Sequence, residues 1–404
     1  MHNFVPRLSC PILKKRLLKL LQRQGYLFYV LSVVASPAAA VSLVRERADA
    51  DRDSTRYQLE SSFECASKEQ SGGYILIAQK DDAKVLVDAT PYVNEFGALS
   101  LDLSGSGLTG VDGIKDLTDL QTLDLSDCSH LINIDGLKGL TNLQTLYLDR
   151  CNRITNVESL KDLQNLQTLD MAVCVSLTSI DGLKGLKNLK RLILSECSSL
   201  TDVDGLRDLK NLETLDLAEC IRLTSIEGLR ELENLQALDL FGCIGLTSID
   251  ALQDLKKLQM LTLSACLWLT RIEGFKELRN LRTLDLAGCG NLTTIEDLKG
   301  LTGLRTLDLS RCHSLTSVEG LKGLTNLRTL DLSGCGGLTS VGGLKGLTNL
   351  RTLDLSGCDG LTSVEGLGEL KDLRTLDLSR CKQLPADAIE GLRKELAQTQ
   401  IVYP

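Results

Sequence analysis

The chain has 404 residues, of which 43% are hydrophobic but only 3% aromatic, and its formal net charge is −8. A core of this chain must therefore consist mainly of leucine, isoleucine, valine and cysteine. The acidic balance argues against nucleic acid and anionic membrane surfaces as partners.

The first 40 residues contain six basic residues and no acidic one. The basic residues end at Arg23, and the segment from Gly25 to Val44 contains twenty uncharged residues, including the small residues 38–40. This layout is typical of a secretory signal peptide that is cut after Ala40. An uncleaved membrane anchor and an organelle transit peptide are the alternatives. We therefore expect residues 1–40 to be a signal peptide or signal anchor of a secreted or cell-surface protein, with a cytoplasmic location as the alternative.

Residues 41–97 are predicted to form a charged linker and an N-terminal capping hairpin. Acidic and basic residues are both frequent in 45–70, which favours a solvated tether. Two apolar runs at 74–78 and 84–87 flank the polar residues 80–83. That pattern predicts a β-hairpin, which would cover the open edge of the domain that follows.

Twelve cysteines recur at a constant interval of 23 residues. A constant period of this length indicates a solenoid of stacked repeats, a fold that offers a long surface for binding. The set is Cys128, Cys151, Cys174, Cys197, Cys220, Cys243, Cys266, Cys289, Cys312, Cys335, Cys358 and Cys381.

A late copy of the repeat, residues 350–367, has the pattern L-x-x-L-x-L-x-x-C-x-x-L-T-x-V-x-x-L. This pattern resembles the leucine-rich repeat. The Leu-Thr-Asn-Leu sequence at 347–350 is similar to internalin-type bacterial surface proteins, and the Cys-x-x-Leu-Thr half is similar to plant resistance receptors and F-box proteins. The Leu-Asp-Leu-Ser-Gly-Cys copies also resemble trypanosome repeat proteins described as adenylate cyclase regulators. The resemblance covers about seven tenths of the chain and implies binding to other proteins.

Alternation in Leu353-Asp354-Leu355 predicts a short strand with its leucines inward. Thirteen such strands between Leu101 and Leu376 would pair as a parallel ladder. The return segment 364–373 places apolar residues three apart, which suits a short 3₁₀ turn. The predicted fold class is α/β, a right-handed leucine-rich-repeat horseshoe over residues 98–384, with a parallel sheet on the concave face and short turns on the convex face.

The last residues, 385–404, are predicted to close the domain with a capping helix and a strand. Residues 385–396 are amphipathic and start with Pro385, which favours the first turn of a helix. The apolar residues 401–403 predict the final strand.

The cysteine column is interpreted as structural. A straight file of thiols cannot converge on a metal ion, and side chains in register point in parallel, which disfavours disulfides between neighbours. We expect small buried residues whose S–H donates to a loop carbonyl, at the position where other repeats use asparagine.

Two further columns have predicted structural roles. Asparagine usually precedes the Leu-x-x-Leu entry, as at Asn165 and Asn234, and because asparagine tolerates a left-handed backbone we expect a turn there. An acidic residue opens most outer turns, usually with a basic residue three positions later, as in Glu227 and Arg230, which predicts a solvated outer face.

Copies within 304–373 are nearly identical, whereas copies from 143 to 268 diverge at outward positions. Aspartate is the usual central residue of the concave strands, but Tyr147, Ile193 and Thr262 replace it in three copies. Scarce aromatic and divergent residues there are candidate anchors for a partner, and neutral drift is the alternative. The candidate binding residues are Tyr147, Asp149, Arg150, Arg191, Ile193, Glu196, Glu219, Phe241, Met260 and Trp268.

No catalytic motif is found in the sequence. Only three histidines occur, and no phosphate-binding loop or zinc-protease motif is present. The sequence predicts a non-enzymatic module without metal or cofactor, which binds another protein on its concave face. The alternative is an intracellular regulatory scaffold similar to adenylate cyclase regulators or ubiquitin-ligase substrate adaptors.

Asn291 begins a glycosylation sequon and is a candidate modification site.

Overall fold

The structure is a computed structural model that describes residues 26–35, 39–47, 62–67, 74–79 and 99–403. The chain divides into two compact units, Met1–Ser176 and Leu177–Pro404. Most of the predicted N-terminal signal lies outside the described residues. In the part that is described, no helix combines the length and the hydropathy needed to cross a bilayer.

The N-terminal part of the first unit contains four strands. They are β1 (Tyr26–Ala35), β2 (Ala39–Arg47), β3 (Ser62–Ser67) and β4 (Tyr74–Gln79). Each pairs antiparallel with the next, and β4 pairs in parallel with the first repeat strand, β5 (Ser100–Asp102). The antiparallel partner of β4 is therefore β3, whereas the sequence placed it at 84–87, a segment that lies outside the described residues.

The repeats contribute short parallel strands to each unit. In the first unit, β5 is followed by β6 (Thr122–Asp124), β7 (Thr145–Tyr147) and β8 (Thr168–Asp170), paired in chain order. The second unit contains β9 (Arg191–Ile193), β10 (Thr214–Asp216), β11 (Ala237–Asp239), β12 (Met260–Thr262), β13 (Thr283–Asp285), β14 (Thr306–Asp308), β15 (Thr329–Asp331), β16 (Thr352–Asp354), β17 (Thr375–Asp377) and β18 (Gln400–Val402). These ten strands also pair in parallel in chain order. The thirteen predicted repeat strands, β5 to β17, are confirmed.

Short 3₁₀ turns form the return segments, as the spacing of three predicted. They are Asp112–Ile114, Asp135–Leu137 and Glu158–Leu160 in the first unit, and Asp181–Leu183, Asp204–Leu206, Glu227–Leu229, Asp250–Asp254, Phe275–Glu277, Glu296–Leu298, Glu319–Leu321, Gly342–Leu344 and Leu367–Glu369 in the second. Ion pairs between the acidic and basic residues of these turns are exposed, as in Glu227 with Arg230 and Asp204 with Arg207. The outer face is therefore solvated, and such exposed pairs contribute little to the stability of the fold.

A single helix and a strand close the second unit. The helix, α1 (Ala386–Glu395), begins after Pro385 and buries Ile389 and Leu392. Strand β18 extends the parallel pairing beyond β17. Both elements lie where the amphipathic pattern and the final apolar residues predicted them.

Each repeat places its leucines in the core, and every repeat from β6 to β17 adds a buried cysteine. In one copy, Leu215, Leu217, Cys220 and Leu223 are all fully buried. Phe275 is an exception in size, because it is a fully buried aromatic side chain in a core of aliphatic ones. The composition had predicted this aliphatic core, and burial of so many apolar side chains is the main source of the fold's stability.

The twelve cysteines of the repeats are buried and unpaired. In eleven of them the thiol donates to the carbonyl of the leucine that follows a strand of the preceding repeat, at Sγ–O distances of 3.0–3.3 Å. The predicted structural role is confirmed. Because each S–H reaches one repeat back, the column links successive repeats as well as filling the core.

The asparagine column lies in a turn before each strand, as predicted, but its backbone is not left-handed. No asparagine in 99–403 has a positive φ. Instead, the side-chain amide donates to a carbonyl 24 residues earlier, as from Asn165 to Thr141 at 2.9 Å and from Asn234 to Lys210 at 2.8 Å. The left-handed residue is the one before each cysteine, such as Glu219 with φ 57°. Asparagine suits both a left-handed turn and an amide bridge, and only the backbone geometry separates the two.

Candidate binding surface

The open face of the sheet consists of the strand residues on either side of each buried leucine. In β10, Thr214 and Asp216 are half-buried on this face, while Leu215 points into the core. The aspartate oxygen Oδ1 accepts the N–H of the residue two positions later, 2.9 Å away from Asp216 to Ala218. The aspartate column therefore also closes the turn after each strand.

Stacked aspartates carry an electrostatic cost at one point of the second unit. Burial raises the pKa of Asp239, and repulsion from Asp216 and Asp285 adds to this effect. Thr262 stands between Asp239 and Asp285 in the strand order. The uncharged residue thus interrupts a file of carboxylates that would otherwise be continuous.

Three predicted binding residues lie in the first unit. Tyr147 and Asp149 are half-buried on the open face, and Arg150 is exposed with φ 58°. The Arg150 guanidinium lies 3.6 Å from Asp127 and 3.7 Å from Asp149. Arg150 thus lies between two carboxylates, close in sequence to Tyr147.

The other predicted residues lie in the second unit, at two ends of the strands. Arg191, Ile193 and Met260 belong to β9 and β12 themselves. Phe241, Glu219 and Glu196 follow the strands, and the backbone N–H of Glu219 donates to the Phe241 carbonyl at 2.6 Å. Phe241 aligns with Ser264, four residues beyond Met260, so about 13 Å of strand separates Met260 from Phe241. Ile193 is nearer to Phe241, because it aligns with Asp239, two residues before Phe241.

An apolar strip borders the Phe241 end of the open face, and the sequence analysis missed most of it. Ile221, Ile244 and Leu267 follow the cysteine in three successive repeats and are 45%, 39% and 46% exposed. Trp268 comes next and is 62% exposed. We call Ile221, Phe241, Ile244, Leu267 and Trp268 the apolar strip. A sequence signal exists, because the three following copies carry Gly290, His313 and Gly336 at the position of Ile221.

The residue before each of the twelve repeat cysteines, from Asp127 to Arg380, has a left-handed backbone conformation. Eight of these residues are not glycine, and their φ angles lie between 57° and 62°. They are Asp127, Arg150, Val173, Glu196, Glu219, Ala265, Arg311 and Arg380. A side chain in this conformation costs about 1–2 kcal/mol relative to a relaxed backbone. Glu196 and Glu219 bear this cost beside the apolar strip and form no ion pair within 99–403.

We expect Glu219→Gly to raise the free energy of unfolding by about 0.5–1 kcal/mol, because glycine removes the left-handed strain. Gly242 already occupies the equivalent position of the next repeat with φ 66°. Urea unfolding followed by circular dichroism measures the change. As a control, Glu213→Gly removes the same charge from an exposed residue outside the left-handed set and should lower stability. Equal destabilisation by both variants would contradict this account.

A shallow polar groove of about 230 Å³ lies at the opposite ends of the strands. It is lined by Asn188, Lys190, Asn211, Glu213, Asn234, Gln236 and Lys257. The amides of Asn211 and Asn234 donate to backbone carbonyls, and Lys257 donates to the Asn234 oxygen at 2.6 Å. Hydrogen bonds within the protein thus occupy Asn211, Asn234 and Lys257, which gives these residues a structural role.

The two histidines within 99–403 and the sequon residue Asn291 all lie close to polar atoms of neighbouring residues. His313 donates from Nδ1 to the Gly334 carbonyl at 3.0 Å, and His130 lies 3.3 Å from Ser129 Oγ. Across 99–403, no three histidine, cysteine or acidic side chains gather as metal ligands. Asn291 Nδ2 donates to the Leu267 carbonyl at 2.7 Å, and glycosylation of this residue stays a prediction.

Short parallel strands, 3₁₀ return turns and repeating buried leucine positions together define a leucine-rich-repeat solenoid. The family pattern described as leucine rich repeats (2 copies) matches residues 141–185, 164–208, 187–231, 279–323, 302–346, 325–368 and 348–394. These matches cover just over half of the chain. The protein therefore belongs to the leucine-rich-repeat family.

Solved structures of bacterial repeat proteins are similar to the chain. An internalin (inlF) from Listeria monocytogenes is 22% identical with a TM-score of 0.50, covering 70% of this chain and 86% of its own. A leucine-rich-repeat protein from Leptospira interrogans is 23% identical with a TM-score of 0.48, covering 76% and 90%. The functional domain of InlJ from Listeria monocytogenes, described as including a cysteine ladder, is 19% identical with a TM-score of 0.47, covering 76% and 68%. At these identities the similarity is one of fold. A comparison with curated protein sequences found no match.

Proposed function

We propose that this protein is a non-enzymatic binding module whose protein partner docks on the apolar strip and the adjoining open face of the second unit. The observation that carries the proposal is the clustering of exposed apolar side chains. Nine large apolar residues are exposed in 99–403, and six of them lie between Ile221 and Trp268. Clustered exposed apolar residues, above all tryptophan, are typical of interaction sites.

Charge next to the strip indicates the chemistry of the partner. Glu196 and Glu219 are exposed and lie at the strand ends beside Phe241. Acidic groups at the rim of an apolar patch favour a partner that presents apolar side chains flanked by lysine or arginine.

Partner capture by variants of the strip tests the proposal. Purified chain is immobilised, a bound protein is identified, and its affinity is measured for wild type and for Ile244→Ser with Leu267→Ser and Trp268→Ser. We expect the affinity to fall at least about a hundredfold, because central apolar anchors contribute about 1–2 kcal/mol or more each. The control removes exposed apolar residues elsewhere, Ile132→Ser with Val175→Ser. Equal affinity of the strip variant and the control would refute the proposed site.

We further propose that the chain is secreted or held at the cell surface by its N-terminal segment. Support comes from the basic and apolar layout of residues 1–40. Mass spectrometry of a tagged chain from medium and membrane fractions should find a new N-terminus at Val41 or an intact anchor. A full-length cytosolic product would overturn this location.

An intracellular regulatory scaffold is the second candidate. It is favoured by the twelve unpaired thiols of the repeats, since the cytosol keeps cysteines reduced without further protection. Recovery of the full-length chain from cytosol, with a partner still bound through the apolar strip, would support this candidate over the first.

A further inference from the structure

Five exposed arginines precede the strands β13 to β17 of the second unit. We call them the arginine file, and they are Arg282, Arg305, Arg328, Arg351 and Arg374. Arg282 and Arg374 lie outside the nearly identical copies at 304–373, in repeats that differ from those copies at several other positions. The file is therefore longer than the block of nearly identical copies.

Backbone hydrogen bonds hold the arginine file at a fixed spacing. The N–H of Arg305 donates to the Arg282 carbonyl at 2.9 Å, and the N–H of Arg328 donates to Arg305 at 2.8 Å. The same bond joins the remaining arginines of the file. Neighbouring arginines therefore start about 4.8 Å apart, the separation of paired strands.

These guanidinium groups form no ion pair with any acidic residue of 99–403. Asp372 lies two residues before Arg374, but for the other four arginines the nearest carboxylates along the chain are the aspartates of the same strands, three residues later. Each of those aspartates accepts a backbone N–H further along, as Asp308 does from Ser310 and Asp331 from Ser333. The carboxylates are thereby directed towards the far ends of the strands, and the arginines keep their capacity for an external acidic group.

The result is two parallel files of opposite charge, with the arginines just before the strands and the aspartates on the open face at the ends of the strands. Three residues separate each arginine from its aspartate, which corresponds to about 10 Å along the strand. An α-helix with side chains is about 10–12 Å wide. A helix that lies across the strands would thus contact the arginine file with one side and the aspartate file with the other.

The rise of a helix also matches the spacing of the arginine file. One helical turn advances 5.4 Å, so five successive turns differ from five strand positions by only about 2–3 Å in total. Flexible arginine side chains span this difference readily. Acidic residues at i, i+4, i+7, i+11 and i+14 would each meet one guanidinium.

We propose that strands β13 to β17 bind an α-helix of a partner protein, with its acidic stripe on the arginine file and a lysine stripe on the aspartate file. This inference rests on the proposed protein-binding function but uses none of the residues of the apolar strip. The aspartate file disfavours a wide polyanion such as duplex nucleic acid, which would cover both files with negative charge.

Two helical peptides of about 18 residues test the proposal on the full chain. They have one composition, but the first aligns its glutamates in a single stripe and the second spreads them around the helix. Fluorescence anisotropy should show binding of the striped peptide at least about tenfold tighter than binding of the second. The variant Arg305→Gln, Arg328→Gln and Arg351→Gln should lose at least about tenfold of this affinity. Glutamine occupies the same position at Gln236 and Gln259, so these substitutions preserve the fold.

The matched control removes three basic residues from the outer turns of the same region, Lys299→Gln, Lys322→Gln and Lys345→Gln, and should leave affinity within about twofold. Equal binding of the two peptides, or equal loss in both triple variants, would overturn the proposal. Arginine-dependent binding of polyphosphate or heparin, without binding of the striped peptide, would also overturn it in favour of a linear polyanion. The strip variants separate the two proposals, because they should retain the striped peptide while losing the partner of the apolar strip.

Discussion

The protein is expected to unfold steeply between about pH 9 and pH 10, a range in which most leucine-built cores are stable. The cause is the buried cysteine column. Burial raises the pKa of Cys220, Cys266, Cys289 and Cys335 to about 12. Burial also raises the thiol pKa of Cys128, Cys151, Cys243, Cys312, Cys358 and Cys381.

The sign of the effect follows from proton binding. An unfolded thiol has a pKa of about 8.5, so above this pH the unfolded chain releases protons that the folded chain retains. The stabilisation is complete below that pH and is lost as the pH rises towards the folded pKa. Each such thiol lowers the free energy of unfolding by about 1.4 kcal/mol per pH unit, and ten thiols acting together exceed a typical total stability within about one unit.

Circular dichroism between pH 7 and pH 11, with urea unfolding at each pH, measures the slope. The double variant Cys289→Asn and Cys312→Asn should reduce this slope by about two protons, because asparagine does not titrate. Its amide N–H replaces the thiol as donor to the same carbonyls, at a position where leucine-rich repeats accept either residue. A slope unchanged by the double variant would show that the thiols do not cause the transition.

Gly320→Val is expected to lower the free energy of unfolding by about 2–3 kcal/mol. A β-carbon on Gly320 would lie 2.0 Å from the carbonyl oxygen of Ile295 in the preceding repeat. Gly228 shows the same approach to Val203, also at 2.0 Å. The 3₁₀ turns therefore stack backbone on backbone, and a branched side chain must push two repeats apart.

A matched control for this variant is Gly336→Val. A β-carbon on Gly336 would meet no atom within 4 Å, and its φ is not in the positive range. We expect a change within about 0.5 kcal/mol for this exposed position. Thermal unfolding of both variants distinguishes the two cases, and a similar loss in both would mean that stacking of the turns does not limit stability. Valine is preferred to alanine because Ser159, Ala251 and Asp297 show that side chains without a branch at the β-carbon are accommodated at this position of the repeat.

The sequence predicts the structure correctly where a pattern of residues can be buried in only one kind of fold. Leucines at period two, separated by a constant 23 residues, can be buried together only as paired strands of stacked repeats. The cysteines followed, because small apolar side chains in that register must share the core. Every repeat strand and the structural role of the thiols were predictable on these grounds.

The sequence does not predict the structure where one residue type can have several structural roles. Asparagine serves equally as a left-handed turn residue and as an amide bridge, and the structure selects the bridge, as from Asn234 to Lys210. The left-handed position falls instead on the residue before each cysteine, which is glycine in some copies, such as Gly242, but glutamate in others, such as Glu219. Local sequence cannot decide such cases, because the deciding hydrogen-bond partner lies in another repeat.

The sequence alone thus determined the repeat, its core and its strands, since periodic burial of leucine is a local pattern copied many times. Only the tertiary structure decided which of the many apolar residues are exposed. Ile221, Ile244 and Leu267 resemble core residues in a chain rich in leucine, and their exposure depends on the turn after each cysteine. The spacing of the five arginines is likewise set by pairing between strands 23 residues apart, so its match to a helix becomes visible only in three dimensions.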